Sequence, residues 1–266
     1  QPGQPAAAVD TAGDALVAWT HYDMSLPGAG STTTHMAYAP AGQPFAPAVQ
    51  LGDPAGGATN PAVAATPTGF LVAWSQSNDG AGYVMPITGG VPGPITRIAP
   101  PTDGLAGTFT STGMVPPPTV AVAAGTDGTA TVAWIATPAS GPGMLLSAAF
   151  DGTAWGPATT VTTPAGGAGP ITVQALATKS GTTLLYQAPT PAQSGGLKSN
   201  DSYTVLSNTF ARRGAGGTWG AAKALGPCSV VMAPTLSADP RGNVGVSCMQ
   251  PQGKYSRRTI LTRWLQ

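Results

Sequence analysis

The sequence has no glutamate, only two histidines and two cysteines, and a single basic residue, Arg97, before Lys179. Each shortage excludes something. Without Glu, any acid/base pair has to be built from the ten Asp alone. His21 and His35, with both cysteines spoken for if they pair, cannot supply the four protein ligands of a structural zinc site. The expectation is therefore no metal, and no motif implies a cofactor. A formal net charge of +1 over 266 residues gives no field to gather nucleic acid. No apolar run approaches the ~20 residues that a membrane-spanning helix needs. The other ten Lys and Arg lie between Lys179 and the C-terminal end. They form either a solvated face or a weakly basic sector for an anionic partner.

What the chain does have is repetition. It carries 37 Gly and 28 Pro, but these punctuate regular apolar segments. Five stretches share one plan, a Pro, a short apolar run, a turn and a second apolar run. They begin at Pro5, Pro61, Pro118, Pro170 and Pro234 and close at Trp19, Trp74, Trp134, Tyr186 and Cys248. The closing positions are 55, 60, 52 and 62 residues apart. Each stretch is rich in Val, Ala, Thr and Leu around turns such as "DTAGD", "GTDGT" and "DPRGN", which predicts a β-hairpin. A second hairpin follows in the first four copies, with Phe45, Trp155 and Trp219 at matching places before its last strand. Two hairpins per repeat of fifty-odd residues describe four-stranded blades, hence an all-β, five-bladed β-propeller. One domain is expected over 1–266, with blades near 1–57, 58–114, 115–167, 168–229 and 230–266. The fifth blade is one strand short. Either it has three strands, or residues upstream of Gln1 or another chain supply the fourth.

At "FDGTAWGPATTV" (150–161) and "GGTWGAAKAL" (216–225) the chain resembles the bacterial-neuraminidase-type, or Asp-box, repeats of sialidase-like propellers. The resemblance spans most of the chain through loose motifs. Asp151, Gly152 and Trp155 are retained, with altered spacing. It implies the propeller fold but not the activity. Sialidase chemistry needs an arginine cluster, a tyrosine nucleophile and a Glu, and this chain lacks the first and the last. The remaining Asp residues sit mainly in turns; Asp14, Asp127, Asp151 and Asp239 lie at Gly-rich tips, where Asx side chains cap their own backbone.

By analogy with the fold, the long connections gather at one end: 20–34, 75–82, 99–118, 188–202 and 249–258. Long irregular loops on a rigid scaffold suit a binding surface. Its polar and aromatic residues are His21, Tyr22, Asp23, Asn78, Asp79, Asn200, Asp201, Tyr203, Lys254, Tyr255 and Arg257. Aromatic faces with Asp, Asn and Arg suit sugars. Trp19, Trp74 and Trp134, at one repeat position, are expected to pack between blades. Cys248 ends the second strand of blade five and Cys228 lies in the connection entering its first strand, so a disulfide is expected to brace that blade. Low charge, the paired cysteines and a start at Gln1 fit a processed, secreted or cell-surface bacterial protein.

Three functions compete. The first is a non-catalytic, lectin-like propeller binding a glycan or another cell-surface ligand. The second is a structural or interaction subunit whose protein partner completes blade five by β-augmentation. The third is an Asp-only glycoside hydrolase or lyase.

Overall fold

The computed structural model describes residues 5–23, 31–52, 57–58, 61–76, 78–107, 119–138, 140, 143–162, 170–188, 206–229, 234–239, 241–252 and 257–265. Every strand pairing is antiparallel, and the strands form five separate sheets in chain order. The first holds Ala6–Val9, Ala15–Asp23, Ser31–Ala39 and Val49–Leu51, paired in sequence. The second runs Ala62–Thr66, Gly69–Ser75 and Gly82–Thr88, with an interrupted outer edge of Val91–Pro92 and Thr96–Ile98. In the third, Val120–Ala124 and the short Leu105–Gly107 share one edge of Ala130–Pro138, followed by Met144–Phe150 and Thr159–Thr162. The fourth comprises Thr172–Thr178, Gly181–Ala188 and Leu206–Ala215, edged by Thr218–Trp219 and Lys223–Ser229. The fifth has three strands, Thr235–Ala238, Val244–Gln252 and Arg257–Leu265.

The repeats are visible in backbone detail. At the second hairpin of the first four sheets, one N–H bonds back to the third strand: Ala46 to Tyr38 O, Gly93 to Pro86 O, Gly156 to Ala149 O and Gly220 to Arg213 O. These bonds, 2.8–2.9 Å long, make Phe45, Pro92, Trp155 and Trp219 equivalent positions. The first-hairpin turns come in two kinds. Sheets one, three and five use five-residue turns, closed by Asp10 N to Asp14 O, Gly125 N to Thr129 O and Asp239 N to Asn243 O. Sheets two and four turn in two residues before Gly69 and Gly181. Gly69 has φ +139°, and a Cβ there would stand 2.2 Å from Ile87 O, so the tight turn requires glycine.

Successive sheets lie with their first strands side by side, Ala6–Val9 against Ala62–Thr66, then Val120–Ala124, Thr172–Thr178 and Thr235–Ala238. Alternate residues of the second strands of sheets two, three and four therefore face opposite neighbours. Phe70, Val72 and Trp74 turn toward sheet one, meeting Leu16, Ala18 and Met36. Leu71 and Ala73 turn toward sheet three, meeting Val132 and Trp134. Burial on both sides explains why "FLVAW" shows no polar alternation.

One position recurs in each seam, the closing residue of the repeat. Trp74 fills the seam between sheets one and two, Trp134 that between two and three, and Tyr186 that between three and four; all three are buried. Trp134 Nε1 donates to Gly80 O at 2.9 Å, which satisfies the indole N–H inside the core. Gly82 lies beneath it, where a Cβ would meet the Trp134 ring at 3.0 Å. Losing such a side chain from a core costs about 3–5 kcal/mol. The expectation of packing between blades thus holds for Trp74 and Trp134. Trp19 is half-buried and stacks on His35 with ring centroids 5.9 Å apart.

In the fourth seam the plug is covalent. Cys228 and Cys248 form a disulfide, with Cα atoms 5.8 Å apart. Its place differs from the expectation in one respect. Cys228 does not lie in the connection entering blade five. It sits on Lys223–Ser229, where it pairs with Ser207 in sheet four. The bond therefore staples sheet four to sheet five, because Lys223–Ser229 runs on along the edge of Leu206–Ala215 before the chain crosses over. Around it Leu185, Ala211 and Leu225 pack on Val244 and Val246. Leu105–Gly107 differs likewise: it pairs with Ala136–Pro138 of sheet three, not with the second blade.

The disulfide closes a loop of sequence separation 20. Cys248→Ser is expected to lower unfolding stability by ~3 kcal/mol in the chain-entropy description. Urea unfolding of the wild type with and without reductant should give the same difference.

Candidate functional site

The short first-hairpin turns lie at one end of the sheets. At the other end lie the connections between second and third strands. There the hairpin of Ala15–Asp23 and Ser31–Ala39 is longer than its sequence suggests. His21, Tyr22 and Asp23 belong to the strand Ala15–Asp23, not to a loop, and pair with Thr33, Thr32 and Ser31. The β-branched "STTT" run favours extended pairing over a loop. Similarly, Arg257 starts a strand and pairs with Gln252. The side chains of Tyr22, Asp23 and Arg257, and all of Asn200, Asp201, Tyr203, Lys254 and Tyr255, fall outside the described residues.

Two side-chain groups form at this end. One is built on sheet two. Asn78 is exposed, and Asp79 beside it receives three hydrogen bonds. Tyr83 Oη donates to Asp79 Oδ2 at 2.6 Å, Arg97 Nε to the same oxygen at 2.9 Å, and Ala81 N to Oδ1 at 3.0 Å. The Tyr83 ring stacks on Trp74, centroids 5.8 Å apart and 12° from parallel. The seam plug thus holds the phenol from behind. Arg97 leaves 49% of its side chain in solvent, against 25% for Asp79. The guanidinium is held through Nε, on a side chain half in solvent.

The charges reinforce each other. Burial pushes the Asp79 carboxyl up, but the bonds from Tyr83, Ala81 and Arg97 outweigh it and leave the group below the ordinary 3.8. Burial, then the bond to Asp79, pushes the Tyr83 phenol up to about 12. The bond to Asp79 also raises Arg97. A carboxyl depressed on folding contributes stability that is complete above its unfolded value and lost as pH falls through the folded one. The cluster is accordingly intact at neutral pH and comes apart when acid protonates Asp79 or strong base ionises Tyr83.

The second group is built on sheet one. His21 and His35 lie edge to face, with centroids 5.4 Å apart, and His35 Nε2 is 2.9 Å from Thr33 Oγ1. The two groups occupy the same end of adjacent sheets, linked where Ala58 N donates to Thr32 O at 3.1 Å. Sequence reasoning found His21, Asn78 and Asp79 but missed Tyr83 and Arg97. The isolation of Arg97 among 178 otherwise non-basic residues was the available signal.

Among the described residues, six Asp carboxylates are committed to local bonds. Asp10, Asp127, Asp151 and Asp239 cap turns, Asp14 receives Tyr38 Oη and Ala41 N, and Asp79 holds Arg97. Asp151 accepts first from the Thr153 hydroxyl and then from two backbone N–H groups, which brings it down to about 2.

No protein-family model matches the chain, and no curated protein matches it. Solved structures do. A protein of unknown function from Dyadobacter fermentans is 14% identical with TM-score 0.57, over 99% of this chain and 78% of its own. An α-L-arabinanase from Penicillium chrysogenum, complexed with arabinobiose, is 15% identical with TM-score 0.57, over 98% and 77%. A thermostable family-43 glycoside hydrolase is 12% identical with TM-score 0.50, over 100% and 89%. This chain shares the β-propeller fold with them. Its disulfide is compatible with an extracellular protein, and among the described residues no helix is long and apolar enough to cross a membrane.

Replacing Asp79 with Ala is expected to lower the Tyr83 pKa from about 12 while leaving it above 10, because burial remains. A 13C-tyrosine NMR titration reads this directly; an unmoved Tyr83 would show that Asp79 does not hold it.

Proposed function

We propose that the five sheets close into a five-bladed propeller of an exported protein, and that its long-connection end binds glycans without cleaving them. The observation that carries this reading is the Asp79–Tyr83–Arg97 cluster. A guanidinium held through Nε, on a side chain half in solvent, can present oriented donors to hydroxyl or carboxylate oxygens. Exposed Asn78 adds a donor and an acceptor beside it. Closure is supported by the order of the first strands and by Trp19, which holds the plug position on the face of sheet one turned away from sheet two. The absence of Glu from the sequence and the prior commitment of six carboxylates support a binding role over hydrolysis. We read the repeats as divergent relatives of the Asp-box type that keep the scaffold without its catalytic residues.

The arabinobiose in the Penicillium arabinanase makes arabino-oligosaccharides the first probes. A glycan array including them is screened with wild type, Arg97→Ala and Asp79→Ala. The expected result is a defined set of bound glycans, with affinity reduced about tenfold or more in Arg97→Ala, or at least ~1.4 kcal/mol. A blank array, or equal binding by Arg97→Ala, contradicts the reading.

A second reading rests on sheet five. Among the described residues, Arg257–Leu265 pairs along one edge only, with Val244–Gln252. An open edge of this length accepts an added strand, so the chain would serve as a subunit of an extracellular assembly.

A further inference from the structure

The chain has only two histidines, 14 residues apart, and folding brings both to one side of one hairpin. Register accounts for this. Trp19 pairs with His35 and His21 with Thr33, so His21 and His35 are diagonal neighbours on the face opposite Leu16, Ala18 and Met36. Their ring centroids are 5.4 Å apart, with planes at 66°. An imidazole-bound zinc ion sits about 3.2 Å from the ring centroid, so two rings on one tetrahedral ion lie about 5.2 Å apart. The centroid separation of the pair is close to that value.

We propose that His21 and His35 together bind one divalent transition-metal ion of the imidazole-preferring class, zinc or copper, at the loop end of the first sheet. The sequence argument against zinc concerned a cage of four protein ligands. Two imidazoles with solvent completing the shell make a different, open site. Its supporting contacts are present. Thr33 Oγ1, 2.9 Å from His35 Nε2, accepts its N–H in one tautomer, which leaves the Nδ1 lone pair for the metal. Trp19 stacks on the His35 ring at 22° and fixes its plane. Burial first, and then the proximity of His21, hold His35 below its ordinary 6.5, so its neutral, ligating form prevails at pH 7. His21 is exposed, which gives the ion a way in. The site uses none of Asn78, Asp79 or Arg97, the residues on which the glycan reading rests.

The test uses the whole chain, free of any affinity tag. It is titrated with zinc chloride by calorimetry at neutral pH, and loaded with Cu2+ for electron paramagnetic resonance. The expected result is a single ion bound, nitrogen hyperfine structure from two imidazoles, and affinity at least about tenfold weaker in His21→Ala. His21 is exposed, so this variant keeps the wild-type circular dichroism. No binding of either ion, coordination by one nitrogen, or equal affinity in His21→Ala would overturn the proposal.

Discussion

The seams between sheets govern this molecule. Only 8% of the residues are charged, and the second strands show little polar alternation. Sheets two, three and four are covered on both sides, and their second strands Gly69–Ser75, Ala130–Pro138 and Gly181–Ala188 are buried almost throughout. The closing residue of each repeat then decides how adjacent sheets meet. Trp74, Trp134 and Tyr186 fill three seams by bulk. At the fourth, the same position is Cys248, too small to fill it, and a covalent bond to Cys228 takes over the role. Polar groups follow the same logic: Trp134 Nε1 finds Gly80 O, and Trp219 Nε1 finds Ser147 Oγ at 2.8 Å across the third seam.

The candidate sites depend on these seams. Tyr83 is held flat by Trp74, and through Tyr83 and Asp79 the Arg97 guanidinium gains a fixed edge. The plug and the polar cluster are therefore one continuous structure, apolar inside and charged where it reaches water. At the first sheet, Trp19 occupies the plug position and instead stacks on His35, beside His21. One repeat position thus serves packing in the middle of the array and supports side-chain clusters at its loop end.

Much of this was legible in the sequence. The five closing positions located every second strand, and the spacing of turns located the hairpins, because local turn chemistry and apolar runs suffice for both. The pairing of Cys228 with Cys248 was readable, but its bridging role was not. Cys228 belongs to sheet four only because Lys223–Ser229 extends along Leu206–Ala215, a tertiary pairing with no local signal. The strand character of His21, Tyr22 and Asp23 was hidden for a related reason: Thr32, Thr33 and Thr34 are buried strand residues whose polar letters read as loop. Asp79 and Arg97 stand 18 residues apart and meet only because the interrupted outer edge of sheet two returns to Gly82–Val84.

The central claim is that the doubly covered second strands form the rigid spine of the protein. Hydrogen-exchange mass spectrometry tests it most directly, since amide protection follows local opening. The account predicts slowest exchange across 70–75, 130–136 and 181–187, and faster exchange in the outer strands at 49–51, 91–92 and 218–219. Outer strands as protected as the second strands would contradict it, and would place the stability of the fold elsewhere than in its seams.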